Sequence, residues 1–214
     1  MTLDELVAAA DALPDALADM ARAHCHAMNI DSVVLAKNPD GRLTRVFLVW
    51  PGHKLHANYP GSDRYTVGVH DHRYAVSLRL IRGTAVNHTF DRVPGGTPHT
   101  EYRFTSGVAT GTPRIEKLGT AGLMVVESRP LVTFDDVTLP ATAFHTVWVP
   151  GNVPTAWVVT EGPATRTTTT LFTNADTIDT DGLYRRFDSP AHLKRRVREF
   201  TALAGSVRTA GALS

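Results

Sequence analysis

From Leu43 to Phe172, short runs rich in Val, Thr, Phe and Trp are broken by turn-forming clusters: "WPGH", "YPGSD", "PGGTP", "SGVATGTP", "LPAT", "VPGNVP" and "EGP". Proline presets one backbone dihedral and glycine supplies the conformations of tight reversals, so such clusters end strands. No helical pattern intervenes between them. A chain punctuated in this way folds as antiparallel strands that pack into a sandwich or a barrel. The polar, glycine-rich run from Pro94 to Thr112 reads as a long loop or a poorly ordered hairpin.

The two ends have a different texture. Residues 1–42 read as an N-terminal helical segment packed on the strands. Thr2 and Glu5 have capping-box spacing, with Leu3, Leu6 and Val7 at helical intervals behind them. After Pro14 a second helix carries Leu13, Leu17 and Met20 on one side. Residues 174–214 form a C-terminal extension with a closing helix. Its N-cap is Ser189, Pro190 takes the first position, and Leu193, Val197 and Phe200 share one face. The basic residues of "KRRVREF" are then its solvated face. The triplet "HCH" at His24 to His26 reads as a helix end. Neighbouring helical side chains point about 100° apart, so these three cannot converge on one ion.

At 214 residues the chain has room for one domain with a terminal extension. A formal charge of +1 creates no field that would steer it to nucleic acid or an anionic membrane. No apolar run is long enough to span a bilayer and no secretory leader is evident, so a cytoplasmic address is expected. Cys25 is alone, which precludes an internal disulfide.

Ten histidines are many for this length, and position decides which of them matter. In a strand, residues two apart share a face. Taken as one strand, the run to Leu80 puts Arg64, Thr66, Gly68, His70, His72, Tyr74, Val76, Leu78 and Leu80 on one side, and its apolar members direct that side inward. Two inward imidazoles need partners for their ring nitrogens. A shared divalent metal meets that need, as do hydrogen bonds within the core. His53, His56 and His99 fall in turn-rich segments and read as surface residues.

The stretch "HDHRYAVSLRLIRG", His70 to Gly83, resembles the first motif of the cupin family. "LPATAFHTVWVPG", with Pro140 and His145, resembles the second. The resemblance covers residues 43–173. It implies a mainly β fold, a double-stranded β-helix or jelly-roll-like barrel, with helices at either end outside it. It also implies a divalent metal inside, held by His70, His72 and His145, and two copies pairing through sheet edges. The family's usual glutamate, four residues after the second histidine, is replaced here by Val76. Such three-histidine cupins are similar to the thiol dioxygenases, and "HDH", "LIRG" and "TFD" resemble cysteine dioxygenase in particular. The Ser-His-Tyr constellation of those enzymes has no counterpart after His145, so cysteine is not the expected substrate.

Three neutral ligands leave a divalent ion with more residual charge than a set containing a carboxylate, which favours an anionic substrate. Imidazole ligands suit Fe, Zn, Cu, Ni or Mn; Fe(II) is favoured through the resemblance alone. The expected function is a mononuclear non-haem iron dioxygenase acting on a small anionic molecule and dioxygen. Lewis-acid isomerase, lyase or hydrolase chemistry and a non-catalytic binding cupin are the alternatives. Arg64 and Tyr74 share the inward parity and could bind or orient substrate. A rim salt bridge for Arg64 and a core-filling role for Tyr74 are the plainer readings. His88, between Val86 and Phe90, is a candidate fourth ligand, acid/base or core histidine.

Overall fold

A computed structural model of the chain describes residues 1–25, 27–55, 68–105, 114–174 and 185–207. Helices α1 (Leu3–Asp11) and α2 (Asp15–Ala18) come first. Ten strands follow: β1 (Ala27–Lys37), β2 (Leu43–Leu55), β3 (Val69–His70), β4 (Tyr74–Arg82), β5 (Val86–Thr105), β6 (Arg114–Pro130), β7 (Val137–Leu139), β8 (Phe144–Trp148), β9 (Thr155–Ala164) and β10 (Thr168–Thr173). Helix α3 (Pro190–Ser206) closes the chain. The strands form two antiparallel sheets. Sheet I runs β1-β2-β9-β4-β7 and sheet II runs β10-β3-β8-β5-β6, with β10 also pairing β5. This two-sheet arrangement fits the cupin-type jelly roll expected from the motifs. No helix among the described residues is long and apolar enough to cross a membrane.

Alternation along the strands of sheet I sorts their side chains into two cores. Val33, Val46, Leu48, Ala156 and Val158 face the helices, where Leu6, Ala10, Leu193, Val197 and Phe200 cover them. Val49, Val76, Leu78, Trp157 and Val159 face sheet II and meet Val147 there. A third cluster, Val69, Phe90, Leu123 and Phe172, lies on the other face of sheet II. The capping box of Thr2 and Glu5 is formed, and Ser189 caps α3 as expected.

Several expectations are corrected. Helix in the N-terminal segment ends at Ala18, and Ala27–Lys37 is instead a strand paired with β2. The β-branched residues Ile30, Val33 and Val34 favour an extended chain with both faces covered. The basic face of α3 is not simply solvated. Arg196 bonds the buried carboxylate of Asp31 at 2.9 Å and lies 3.9 Å over the Trp50 ring, while Arg198 reaches Asp11 at 2.7 Å.

Of the two readings of the run from Pro94, a long loop or a poorly ordered hairpin, the structure has a hairpin, and a regularly paired one. β5 continues through it to Thr105 and pairs with β6, while residues 106–113 lie outside the described set. Arg92 and Thr97 both face Leu123, so Val93 to Gly96 bulge out and the strand bends there. Before the bend β5 pairs with β8; after it, with β10. At the bend Gly122 lies so close to the bulge that a Cβ would sit 2.5 Å from the Val93 carbonyl. His99, expected at the surface, is buried in this hairpin, with its Nδ1 donating to the Thr97 carbonyl at 2.8 Å.

Candidate metal centre

The segment around the histidine pair is not one strand. His70 ends β3 in sheet II, Tyr74 begins β4 in sheet I, and residues 71–73 cross between the sheets. The two histidines therefore approach one another at a corner of the chain rather than as neighbours on a strand face. The corner is pinned by Asp71, whose side chain is buried. One carboxylate oxygen accepts from the Thr170 amide and the other from Arg166 Nη1, both at 2.6 Å. The His72 amide donates to the Ala141 carbonyl at 3.1 Å, which ties the corner to the turn before β8. Asp71 thus points away from the two histidines that flank it, held by Thr170 and Arg166.

His145 comes from β8, directly opposite His70 in the ladder. Ladder partners project to the same face, so the two rings meet on the side of sheet II that faces sheet I. The ring centroids of His70, His72 and His145 lie 4.8, 4.9 and 5.0 Å apart in pairs. One nitrogen from each converges with the others within 4.8 Å.

Two of the rings are held by their far nitrogens. His70 Nδ1 donates to the Gly68 carbonyl at 2.9 Å, and His145 Nδ1 donates to Asn87 Oδ1 at 2.7 Å. Each bond fixes the tautomer and leaves Nε2 as a lone-pair donor, which is the arrangement of imidazoles that bind metal. His72 Nε2 and His145 Nε2 lie 2.8 Å apart. Two cis ligands on a first-row ion, each about 2.0–2.1 Å from it, would be separated by about 3 Å. The donor set and its spacing fit a divalent metal. Burial lowers the pKa of His70, offset in part by its bond to Gly68 and the charge of Asp71, so its neutral, ligating form is favoured.

The opposite wall belongs to sheet I. The Tyr74 ring stacks on His72 at 5.7 Å, and its hydroxyl donates to Glu161 Oε1 at 2.7 Å. Glu161 is buried on β9 and also accepts from Arg45 Nε at 3.0 Å and the Leu43 amide at 3.1 Å. Burial raises the Tyr74 pKa strongly, and the neighbouring Glu161 carboxylate raises it further, so the phenol keeps its proton. Val76, at the position of the family's glutamate, is buried in the core and sits directly opposite Glu161 in the ladder. A carboxylate thus occupies this face after all, one strand over and bonded to Tyr74.

Of the expected site residues, His70, His72 and His145 are brought together and Tyr74 lies against them. Arg64 is outside the described residues. His88 is not part of the cluster. It pairs with Thr146 rather than His145, which turns it to the far face of sheet II, where its Nδ1 meets Ser128 Oγ at 2.7 Å. Sequence reasoning missed Asn87, Arg45 and Glu161. For Glu161 a signal existed, since Trp157, Val159 and Glu161 continue one inward alternation. Asn87 could not be found without the register of β5 against β8.

No family model matches the chain, and no curated protein does either. Solved structures similar in fold include a hydroquinone 1,2-dioxygenase in complex with Cd2+ and 4-hydroxybenzonitrile, at 10% identity and a TM-score of 0.36, over 62% of this chain and 65% of that one. A DMSP lyase structure matches at 16% identity and a TM-score of 0.34, over 64% of this chain and 49% of that one. A cupin-2 domain from Rhodospirillum rubrum matches at 12% identity and a TM-score of 0.32, over 66% of each chain. The chain thus spans about two thirds of the dioxygenase and half of the lyase.

Proposed function

We propose that His70, His72 and His145 hold a divalent metal ion and that the chain is a metal-dependent enzyme acting on a small anionic molecule. One observation carries this reading: three imidazole nitrogens from a corner and a distant strand converge within 4.8 Å, and two of the rings have the far nitrogen tied. Fe(II) is the favoured ion, and it would supply redox chemistry between a coordinated anion and dioxygen. With no protein carboxylate among the three ligands, the site retains positive charge for an anionic substrate. Tyr74, whose single hydroxyl hydrogen is donated to Glu161, would offer its Oη as an acceptor where substrate meets the wall of sheet I. Glu161 holds that hydroxyl in place, and Arg45 balances the Glu161 charge.

The Tyr74–Glu161 pair also favours a second reading, Lewis-acid lyase or isomerase chemistry, because a hydroxyl bonded to a carboxylate can relay a proton beside a polarised substrate. Metal analysis of protein purified without chelators tests the common premise. Close to one equivalent is expected, and less than about a tenth of an equivalent would favour a ligand-binding barrel without metal. For the iron-loaded protein, oxygen uptake with a panel of thiols, enediols and hydroxy acids separates the two readings. Absence of uptake with every anion that perturbs the metal spectrum would leave the Lewis-acid reading.

A further inference from the structure

The inner face of sheet I carries, at its β1 edge, a polar group that the metal centre does not use. Ser32 lies on β1 between Asp31, which bonds Arg196 on the helix side, and Val33, which packs against the helices, so its own side chain turns inward. Arg22, in the segment before β1, exchanges both backbone hydrogen bonds with Ser32, at 2.8 and 2.7 Å. The two are thus a bonded antiparallel pair and project to the same face. On its other side Ser32 faces Phe47 of β2, and Arg45, two residues from Phe47, shares that face as the diagonal neighbour. Ser32 therefore sits between two arginines. It is fully buried, and its Oγ has no hydrogen-bond partner among the described residues. Buried hydroxyls are ordinarily bonded, so this one calls for an explanation.

Both guanidiniums have uncommitted donors. Arg22 Nη1 donates to the Asp19 and Ala21 carbonyls, at 2.8 and 2.7 Å, and Arg45 Nε donates to Glu161 Oε1 at 3.0 Å. Among the described residues, the remaining N–H groups of the two arginines have no acceptor. The Arg45 side chain is 26% exposed, which opens the group to solvent. Like charges gather here. Burial lowers the pKa of Arg22, and the charges of Arg186 and Arg45 lower it further. Burial also pushes the Cys25 thiol up to about 12 against the pull of Arg45 and Arg22, so Cys25 is neutral and supplies no counter-charge. Glu161 offsets one of the two inward arginines. Asp19 and Arg186, both exposed at the rim, offset each other. One positive charge is left over.

We propose that Arg22, Ser32 and Arg45 form a second ligand site, which takes the carboxylate group of a small organic acid. Guanidinium forks match the two oxygens of a carboxylate, and those oxygens have acceptor capacity left for the Ser32 hydroxyl. The bound group supplies the partner that Ser32 Oγ lacks. It also relieves the repulsion between the arginines, and a monoanion balances the single charge left over. A phosphate dianion would carry one negative charge too many. The site is distinct from the three histidines: Glu161 and Tyr74 stand between Arg45 and His72 in a chain of contacts. The inference therefore does not rest on the metal, and its test needs no activity.

Thermal melts of the full chain with sodium acetate, at an ionic strength fixed with sodium chloride, test it. Acetate should raise the melting temperature saturably, acetamide (neutral and of the same shape) should not, and phosphate should act more weakly than acetate. Arg22→Met should weaken acetate binding at least about tenfold. Ser32→Ala removes a hydroxyl that bonds nothing in the free protein, so the melt without acetate should not fall, while acetate binding weakens about threefold or more. His145→Ala should bind acetate as the native protein does. Loss of the effect in that variant would assign acetate to the histidines and overturn the proposal. No saturable shift would leave water as the partner of Ser32 and overturn it, as would phosphate acting more strongly than acetate. An acetate effect unchanged in Arg22→Met would do the same. Should Arg22→Met not fold, Ser32→Ala decides alone, and an unchanged acetate affinity there would overturn the site.

Discussion

Replacing Asn87 by alanine probes the site through a residue bonded to one of its histidines. Asn87 Oδ1 accepts the Nδ1 hydrogen of His145 at 2.7 Å, and both side chains are buried. Truncation leaves a buried imidazole N–H with no acceptor, a penalty of about 1–3 kcal/mol in the metal-free fold. It also frees the ring to rotate or to change tautomer, which places a hydrogen on the nitrogen that should ligate. Loss of such an outer partner typically lowers metal affinity about 10- to 100-fold, equivalent to about 1.4–2.7 kcal/mol. Competition titration with Zn(II) or Co(II) against a chromophoric chelator reads the affinity, and thermal melts of the metal-free protein read the stability. Asn87→Asp keeps an acceptor and should bind at least as tightly as the native protein. His88→Ala, one residue along but on the far face, should bind normally. An Asn87→Ala affinity within about twofold of the native value would refute the assignment of His145 as a ligand.

Further outcomes follow from the same geometry. His145→Ala should lose tight metal binding while circular dichroism and the melt show a folded protein; retention of a full equivalent would remove His145 from the ligand set. Glu161→Ala strips the acceptor from Tyr74, Leu43 and Arg45 together and should cost about 3 kcal/mol of stability, with Tyr74→Phe costing less, about 1 kcal/mol. A melt for Glu161→Ala equal to the native one would show that the carboxylate has water in place of these donors. Burial pushes the Cys25 thiol from about 9 up to about 12. The folded state therefore holds the thiol proton where the unfolded chain has lost it, so the stabilisation present below about pH 9 is lost as pH rises towards 12. Native protein should lose stability more steeply than Cys25→Ala above pH 9, and parallel pH profiles would contradict this.

The histidines illustrate what a linear reading captures and where it stops. Strand parity was the argument for directing His70 and His72 inward together, and they do converge. The reason is different, since His72 sits in a crossing between sheets and Asp71, Thr170 and Arg166 hold that crossing. Parity also argued for His88 on an inward face. The register of β5 against β8 gave that face to Asn87, whose amide does for His145 what His88 could not. Glycine-rich composition pointed to a loop or a poorly ordered hairpin after Pro94; it is a hairpin in which Val93 to Gly96 form only a bulge, because β6 and β10 supply the pairing that keeps Thr97 to Thr105 extended.

Local physics was sufficient for much of this protein. The alternation of apolar residues, the turn clusters and the caps of α1 and α3 are all properties of neighbours in the chain, whereas His145 was joined to His70 and His72 by the resemblance to the two cupin motifs. Which face meets which partner is not such a property. His145 opposite His70, Glu161 opposite Val76, and an apolar β6 left at the sheet edge each depend on pairing between segments far apart in sequence. A one-residue slip in that pairing would turn every side chain to the other face, so only the assembled sheets decide it.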